Sequence, residues 1–445
     1  MRVHFIEDQD KKIAYFPDTK RFFDVNDAGK ELIMAICSDE NEIPLLKKFG
    51  LNHDEYTKYR ENIEAYATSE YRNKNIIKRS NTLNRLAINI TNSCNLRCKY
   101  CYANGGSYGS DSGVMKKKTL LQTLDMFFNK FEHIHNIQIF GGEPLVSMDN
   151  IETVCQYIKE KNFSTEKNTS VGLVTNGTLI NERFIDLVNT YNIQVTVSFD
   201  GTEEVNDIMR IQANGQGTAN IIINNIKKLQ KSTSQPSTIE VTYNRKHVEH
   251  HVSIYNSIER IREVIGDTPI HLVPAGGNKE DEYVIEDLNI FIDSVDKIFE
   301  EMNIEKNNYS YSLVDRIING LVTKNMGSSH ICDAGVGTLS VSSAGDVYPC
   351  FMFTDDENLV LGNVNDDEDI FESPLYNERL KKMQDFNLKS NNEVCKKCFI
   401  NTLCNGCLGL NALESNDPLK LSEPVCNMFK GMTEKVILNL SKNAN

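Results

Sequence analysis

No stretch of this sequence approaches the roughly 18 to 20 consecutive apolar residues of a membrane-spanning helix, so a membrane-embedded protein is not expected. The N-terminus, MRVHFIEDQDKK, lacks the apolar core and small-residue cleavage site of a secretory signal, which points to a cytoplasmic protein. Positive charge is short as well. Against 62 Asp and Glu stand 48 Lys and Arg, a formal net charge of −14. That is the opposite of the basic footprint a general nucleic-acid binder needs, although a locally basic pocket is compatible with it. A peptide, a small molecule or a redox protein remains open as partner. The composition, 40% hydrophobic and 25% charged, is that of an ordinary globular chain. At 445 residues the chain is too long for one ordinary domain and suggests two or three.

What the chain has in unusual supply is cysteine, twelve in all. Disulfides rarely persist in the cytoplasm, so the distribution matters more than the number. Three crowd together as Cys94, Cys98 and Cys101, and seven fall in the last quarter at Cys332, Cys350, Cys395, Cys398, Cys404, Cys407 and Cys426. Cys37 and Cys155 stand alone in amphipathic stretches and read as core thiols. Ten clustered thiols in a reducing compartment read as metal ligands.

The chain divides by pattern. Residues 1–78 begin with three strand-like pieces, VHFIED, KIAYFPDT and RFFDVND, followed by helical periodicity with Asn26 or Asp27 as candidate N-cap. The charged stretch at 71–80 reads as a linker. Over 79–326 strand and helix alternate: LAINI, IQIF, SVGLVT, QVTVSF, TIEVTY and PIHLV are six strands, most ending in a polar or glycine motif. Repeated βα units predict a parallel sheet, here a partial (β/α)6 barrel whose site-bearing loops share the C-terminal rim. Over 327–445 the alternation stops, and short strands and cysteine-rich turns need metal to hold them together.

The first cluster reads Cys94-Asn-Leu-Arg-Cys98-Lys-Tyr100-Cys101. Structural zinc normally closes with four ligands, and here there are three. Three thiolates on a four-iron cluster leave one iron open to a reactant. CxxxCxxC with an aromatic before its third cysteine, on the loop after the first barrel strand, resembles the radical S-adenosylmethionine (SAM) superfamily. GGEP at Gly141–Pro144, Ser198 in VSFDG and Arg210 twelve residues on agree with that resemblance, which covers roughly residues 85–310. It implies that Cys94, Cys98 and Cys101 hold a [4Fe–4S] cluster and that Tyr100 contributes to the adenine pocket of SAM. Gly141, Gly142 and Glu143 would receive the methionyl amine, Ser198 the ribose region and Arg210 the carboxylate. Leu272 in the sixth strand is either an adenine contact or a core leucine. One-electron reduction would then yield a 5′-deoxyadenosyl radical that abstracts hydrogen from a substrate.

The C-terminal pattern, Cys332-x12-Gly345-x4-Cys350 and Cys395-x2-Cys398-x5-Cys404-x2-Cys407 with Cys426, resembles the SPASM domain, which carries two auxiliary [4Fe–4S] clusters. The family usually has three residues between Cys404 and Cys407, where this chain has two. The resemblance implies Cys395, Cys398, Cys404 and Cys426 on a distal cluster, and Cys332, Cys350 and Cys407 on a nearer one without an obvious fourth ligand. Residues 1–78 resemble the winged-helix-like elements that bind the leader of a ribosomally synthesised precursor peptide as an added strand. Together these resemblances imply a radical SAM peptide maturase with a cysteine thioether as favoured product, supplied by a flavodoxin- or ferredoxin-type electron donor. The alternative is a sulfatase-maturing, formylglycine-forming enzyme. Those relatives carry Asp directly after the G-x4-C cysteine, where this chain has Phe351.

Overall fold

The computed structural model describes residues 1–8, 11–68, 81–305, 311–324, 327–404 and 406–442, so the linker expected at 71–80 lies outside the described residues. Strands β1 (His4–Asp8), β2 (Lys11–Phe16) and β3 (Arg21–Asp24) form an antiparallel sheet in that order. Helices α1 (Asp27–Cys37), α2 (Glu42–Phe49) and α3 (His53–Ala67) follow. Asn26 is the N-cap of α1, its side chain accepting from the Gly29 amide, and Asn52 with Glu55 closes a capping box on α3. Strand periodicity then decides the packing. Ala14 and Phe16 face the helices with Ile33, Ile36 and Tyr56, whereas Ile6, Ile13 and Tyr15 point the other way into the main core. The module is therefore no loose bead. The His4 ring stacks on Phe399 at 3.6 Å between centroids, and the Thr402 hydroxyl donates to the Pro17 carbonyl at 3.0 Å.

Six parallel strands in chain order build the centre: β4 (Thr82–Asn89), β5 (His133–Phe140), β6 (Ser170–Thr175), β7 (Gln194–Ser198), β8 (Thr238–Tyr243) and β9 (Ile270–Pro274). Connecting them are α4 (Lys117–Lys130), α5 (Met148–Thr165), α6 (Glu182–Tyr191), α7 (Glu203–Met209), α8 (Ala219–Ser232), α9 (Arg245–Glu249) and α10 (Ile254–Ile265). This is the expected α/β barrel core. Beyond it lie α11 (Asn289–Glu305) and α12 (Ser312–Thr323).

The C-terminal region is less separate than its change of pattern suggests. Strands β10 (Thr338–Val341), β11 (Asp346–Tyr348) and β12 (Gly362–Asn363) extend the same sheet, β10 pairing parallel with β4. The cysteine-rich turns are thereby anchored to the first barrel strand. Helices α13 (Pro374–Asn387), α14 (Glu393–Lys397), α15 (Leu408–Ser415) and α16 (Glu423–Lys442) complete the fold. A small core of Ile331, Tyr348, Phe353, Met383 and Leu408 supports the turns, and α16 delivers Met432, Val436 and Ile437 to the main core. Helix α16 crosses α11 closely at Gly431, where a Cβ would lie 2.3 Å from Ile292 Cδ1. Among the described residues no helix is long and apolar enough to cross a membrane.

Candidate active site

The loop after β4 is held by backbone bonds to the segment after α7. The Arg97 amide donates to the Ile211 carbonyl at 2.7 Å and the Lys99 amide to Met209 at 2.9 Å. That pairing sets Arg210 beside Cys98. Arg210 is 6% exposed, and its Nη1 donates to the Tyr100 hydroxyl at 2.9 Å. Tyr100 in turn donates to the Asp200 carboxylate, 2.7 Å from Oδ2 and 2.9 Å from Oδ1. The His247 ring buttresses the network, its Nε2 lying 2.8 Å from the Asp200 backbone oxygen. Arg210 Nε has no partner among the described residues. A buried guanidinium N–H left unpaired is costly, which suits a site completed by an anionic ligand group.

Opposite lies the Gly141–Gly142–Glu143 turn after β5. The Gly142 amide donates to Thr91 and the Glu143 amide to Ser93, each at 2.9 Å. Gly141 sits at φ +149°, and a Cβ there would meet the Thr91 carbonyl oxygen at 2.5 Å. A Cβ on Gly142 would lie 2.5 Å from the Ser93 carbonyl oxygen and 3.1 Å from Cys94 Cβ. The glycines thus let this turn close on the cysteine loop. Gly142→Ala should push the loop apart and lose about four irons per reconstituted chain, one cluster's worth, with circular dichroism little changed. Unchanged iron in that variant would remove the steric reading.

Glu143 is 1% exposed and already well used. One oxygen accepts from the Thr175 hydroxyl at 2.7 Å and the Leu145 amide at 3.0 Å, the other from the Asn176 amide at 2.7 Å. It braces the end of β6, and a carboxylate with about four acceptor sites keeps room for one further donor. Asn176 Nδ2 in turn lies 3.9 Å from Cys94 Sγ.

Register separates Ser198 from Leu272. Ser198 pairs with Glu240 and Glu240 with His271, so these three share one face, while Leu272 pairs with Val241 on the opposite face. Leu272 is wholly buried in the main core. Of its two expected readings, core leucine is the one that burial and strand alternation favour.

The ten clustered thiols gather in three groups. Burial pushes Cys94 up to about 11, with Cys98 and Cys101 near enough to add to the shift. Burial likewise pushes Cys332 up to about 11, with Cys407 contributing, and Cys350 is raised by burial together with Cys407 and Cys332. Cys395 and Cys426 are each pushed up to about 11 by burial and by Cys404 and Cys398. The Tyr102 phenol feels both Cys101 and Cys350, and so lies between the first group and the second. Among the described residues no three His, Cys, Asp or Glu side chains converge where a single metal ion could sit. A four-iron cluster spreads its thiolates over separate irons and requires no such point. Buried thiols in threes and fours, with an unpaired Arg210 N–H beside one set, fit iron–sulfur clusters and SAM. Cys155 is 1% exposed in the core, while Cys37 is half-buried in the N-terminal module.

The sequence placed Asn176 and Asp200 at strand ends on the barrel rim but gave no role to them or to Tyr102. Asp200 and Asn176 directly follow strand ends, the position where barrel sites are built, which was a usable signal. Tyr102 carried none, because its place between two thiol groups is set by residues 249 positions apart (Cys101 and Cys350).

Residues 88–258 match the radical SAM superfamily, and residues 332–399 match the SPASM iron–sulfur cluster-binding domain. The chain is 27% identical over 369 residues to a cysteine-type anaerobic sulfatase-maturating enzyme of Clostridium novyi, covering 81% of this chain and 96% of that one. It is 24% identical over 406 residues to the radical SAM cyclopropyl synthase TigE of Paramaledivibacter caminithermalis, covering 84% and 78%. Among solved structures, Streptococcus suis SuiB bound to the precursor peptide SuiA superposes with a TM-score of 0.55 at 15% identity, over 95% of this chain and 98% of SuiB. With both domains matched in order over this geometry, the chain is a radical SAM/SPASM enzyme whose cofactors are SAM and [4Fe–4S] clusters.

Proposed function

We propose that the enzyme matures a ribosomally synthesised precursor peptide, installing a crosslink for which a cysteine thioether is the favoured form. Cys94, Cys98 and Cys101 would hold the SAM-binding cluster, Cys332, Cys350 and Cys407 the nearer auxiliary cluster, and Cys395, Cys398, Cys404 and Cys426 the distal one. Such a reduced cluster with SAM would supply radical chemistry able to remove a hydrogen atom from the peptide. The residues of the chain orient SAM. Arg210 offers its unpaired N–H to the SAM carboxylate, Tyr100 and Asp200 fix that guanidinium, and Gly141 and Gly142 give backbone close approach.

The observation that carries the peptide reading is the N-terminal sheet, joined to the enzyme body through Ile13, Tyr15 and His4. A sheet edge captures an extended leader by main-chain hydrogen bonds and raises the effective concentration of the segment to be modified. The SuiB likeness, which spans 95% of this chain, supports such a module, whereas the sulfatase-maturating relative matches 81%. That relative also favours the second reading, formylglycine formation. Against it stands Phe351, whose ring stacks on Phe140 at 4.3 Å between centroids and gives an apolar surface with no proton acceptor.

Because Ile6, Ile13 and Tyr15 belong to the main core, deleting residues 1–78 would unfold more than it tests. Shortening the substrate is cleaner. A precursor without its leader should be modified at least tenfold more slowly at equal concentration, as loss of tethering dictates, while 5′-deoxyadenosine formed without peptide stays the same. Equal modification of leaderless and full precursor would make the module a cap.

A further inference from the structure

A groove of ≈ 880 Å³ runs between the N-terminal module and the cysteine-rich turns. Val3 and Met34 of the module line one side, and Val394, Lys397 and Cys398 line the other with Lys430 of α16. Met34 is 47% exposed and Val394 58%. Apolar side chains this open mean little singly, but gathered in one concavity they mark a surface that meets another molecule. Three features say what that molecule is.

The first is a thiol. Cys398 lines the groove, and it belongs with Cys395, Cys404 and Cys426, so that group lies directly behind this surface. Its turn is held by its own backbone: the Cys398 amide donates to the Cys395 carbonyl at 3.2 Å, and the Asn401 amide to the Cys398 carbonyl at 3.1 Å. The second is charge. Glu393 is the single acidic residue of the lining, and Lys396 and Lys397 share it at 3.5 and 3.8 Å. Lys397 keeps its side chain 80% exposed. Lys430 has no carboxylate among the described residues and donates to Asn427 Oδ1 at 3.4 Å. Arg2 is engaged by Asp18. A patch of net positive charge therefore stands on a chain whose net charge is −14. The third feature joins the other two. Lys430 is near enough to Cys395, Cys404 and Cys426 to favour their thiolates, so the cations of the groove and the thiols behind it act on one another.

We propose that this groove docks a small acidic one-electron carrier protein, of the flavodoxin or ferredoxin class, with its redox group over Cys398. Carboxylates of the carrier meet Lys397 and Lys430, and an apolar face covers Met34 and Val394, which a small anion would leave in water. One electron passes from the reduced carrier to the group held by Cys395, Cys398, Cys404 and Cys426. The carrier is oxidised by one electron, that group is reduced by one, and no bond or proton changes hands. Encounters of this kind are small, and charge orients them while release stays fast. The proposal rests on reading those four thiols as a cluster site, and adds where the electron donor binds and where its electron enters.

The test uses the reconstituted full-length enzyme and a purified flavodoxin. By fluorescence anisotropy, fluorescein-labelled flavodoxin should bind, and its affinity should fall as salt is raised. Lys397→Glu and Lys430→Glu together should weaken binding on the order of tenfold at low salt, and Val394→Asp should weaken it as well. Lys397→Glu alone, at an exposed position, should give part of that loss with the iron content unchanged. In stopped flow, the variant lacking Cys94, Cys98 and Cys101 should still oxidise reduced flavodoxin at the initial rate of the unmodified enzyme, while the double lysine variant should be slower. Binding that ignores salt, the lysines or Val394 overturns the proposal. So does electron uptake that stops in the triple cysteine variant while about eight irons remain in place, since the carrier would then dock at the first cysteine loop. Replacing Cys395 and Cys404 by Ala without loss of iron would instead sink the cluster reading and with it the route of the electron, and charge-dependent docking would stand on the anisotropy alone.

Discussion

Replacing Cys94, Cys98 and Cys101 together by Ala is expected to abolish SAM cleavage and to remove about four of the about 12 irons of a fully reconstituted chain. The loss should be complete because these three thiols would hold the cluster from which SAM receives its electron. Arg210, Tyr100 and Asp200 form a hydrogen-bonded set that does not depend on the thiols for its geometry. The variant should therefore still bind SAM weakly and keep its far-ultraviolet circular dichroism. The measurements are iron content, 5′-deoxyadenosine formation with a chemical reductant, and SAM binding by equilibrium dialysis. An undiminished rate of 5′-deoxyadenosine formation would contradict the assignment of these three thiols.

The second large effect concerns the nearer auxiliary group. A cysteine-containing precursor should alter the auxiliary-cluster spectrum on binding, and its Cys→Ser variant should not, with crosslink formation falling to background for the variant. Cys332, Cys350 and Cys407 act on one another, and among the described residues no fourth thiol joins them. If these three thiolates hold a four-iron cluster, which takes four ligands, one place would be open for a substrate sulfur, whose proton metal coordination would help remove. Cys350 is also well placed: Phe351 beside it stacks on Phe140 at the end of β5, and Tyr102 spans from Cys101 to Cys350. Electron paramagnetic resonance of the reduced enzyme with each peptide decides the matter. A spectrum indifferent to the substrate cysteine, with the crosslink still formed, would exclude sulfur delivery at this cluster and favour a carbon–carbon product, the kind of bond named in TigE.

Much was legible in the sequence because local chemistry dictated it. CxxxCxxC and GGEP lie within loops of a few residues, and the thiol type and spacing already carry their chemistry. The alternation of LAINI, IQIF and SVGLVT with amphipathic helices sets a parallel sheet by hydrophobic period alone. Asn26 and Asn52 reach only three residues ahead for the amides they cap. What tertiary structure alone decided depends on segments far apart in the chain. Leu272 and Ser198 lie on opposite faces because of how β7, β8 and β9 register, and a single strand cannot reveal which of its faces looks into the barrel. Pairing of β10 with β4 merges a domain that looked independent into the main sheet. The two-way sorting of the C-terminal thiols arises only when turns separated by tens of residues pack together. Only the docking of the N-terminal sheet onto the enzyme body buries Lys20, whose ammonium finds no acceptor among the described residues.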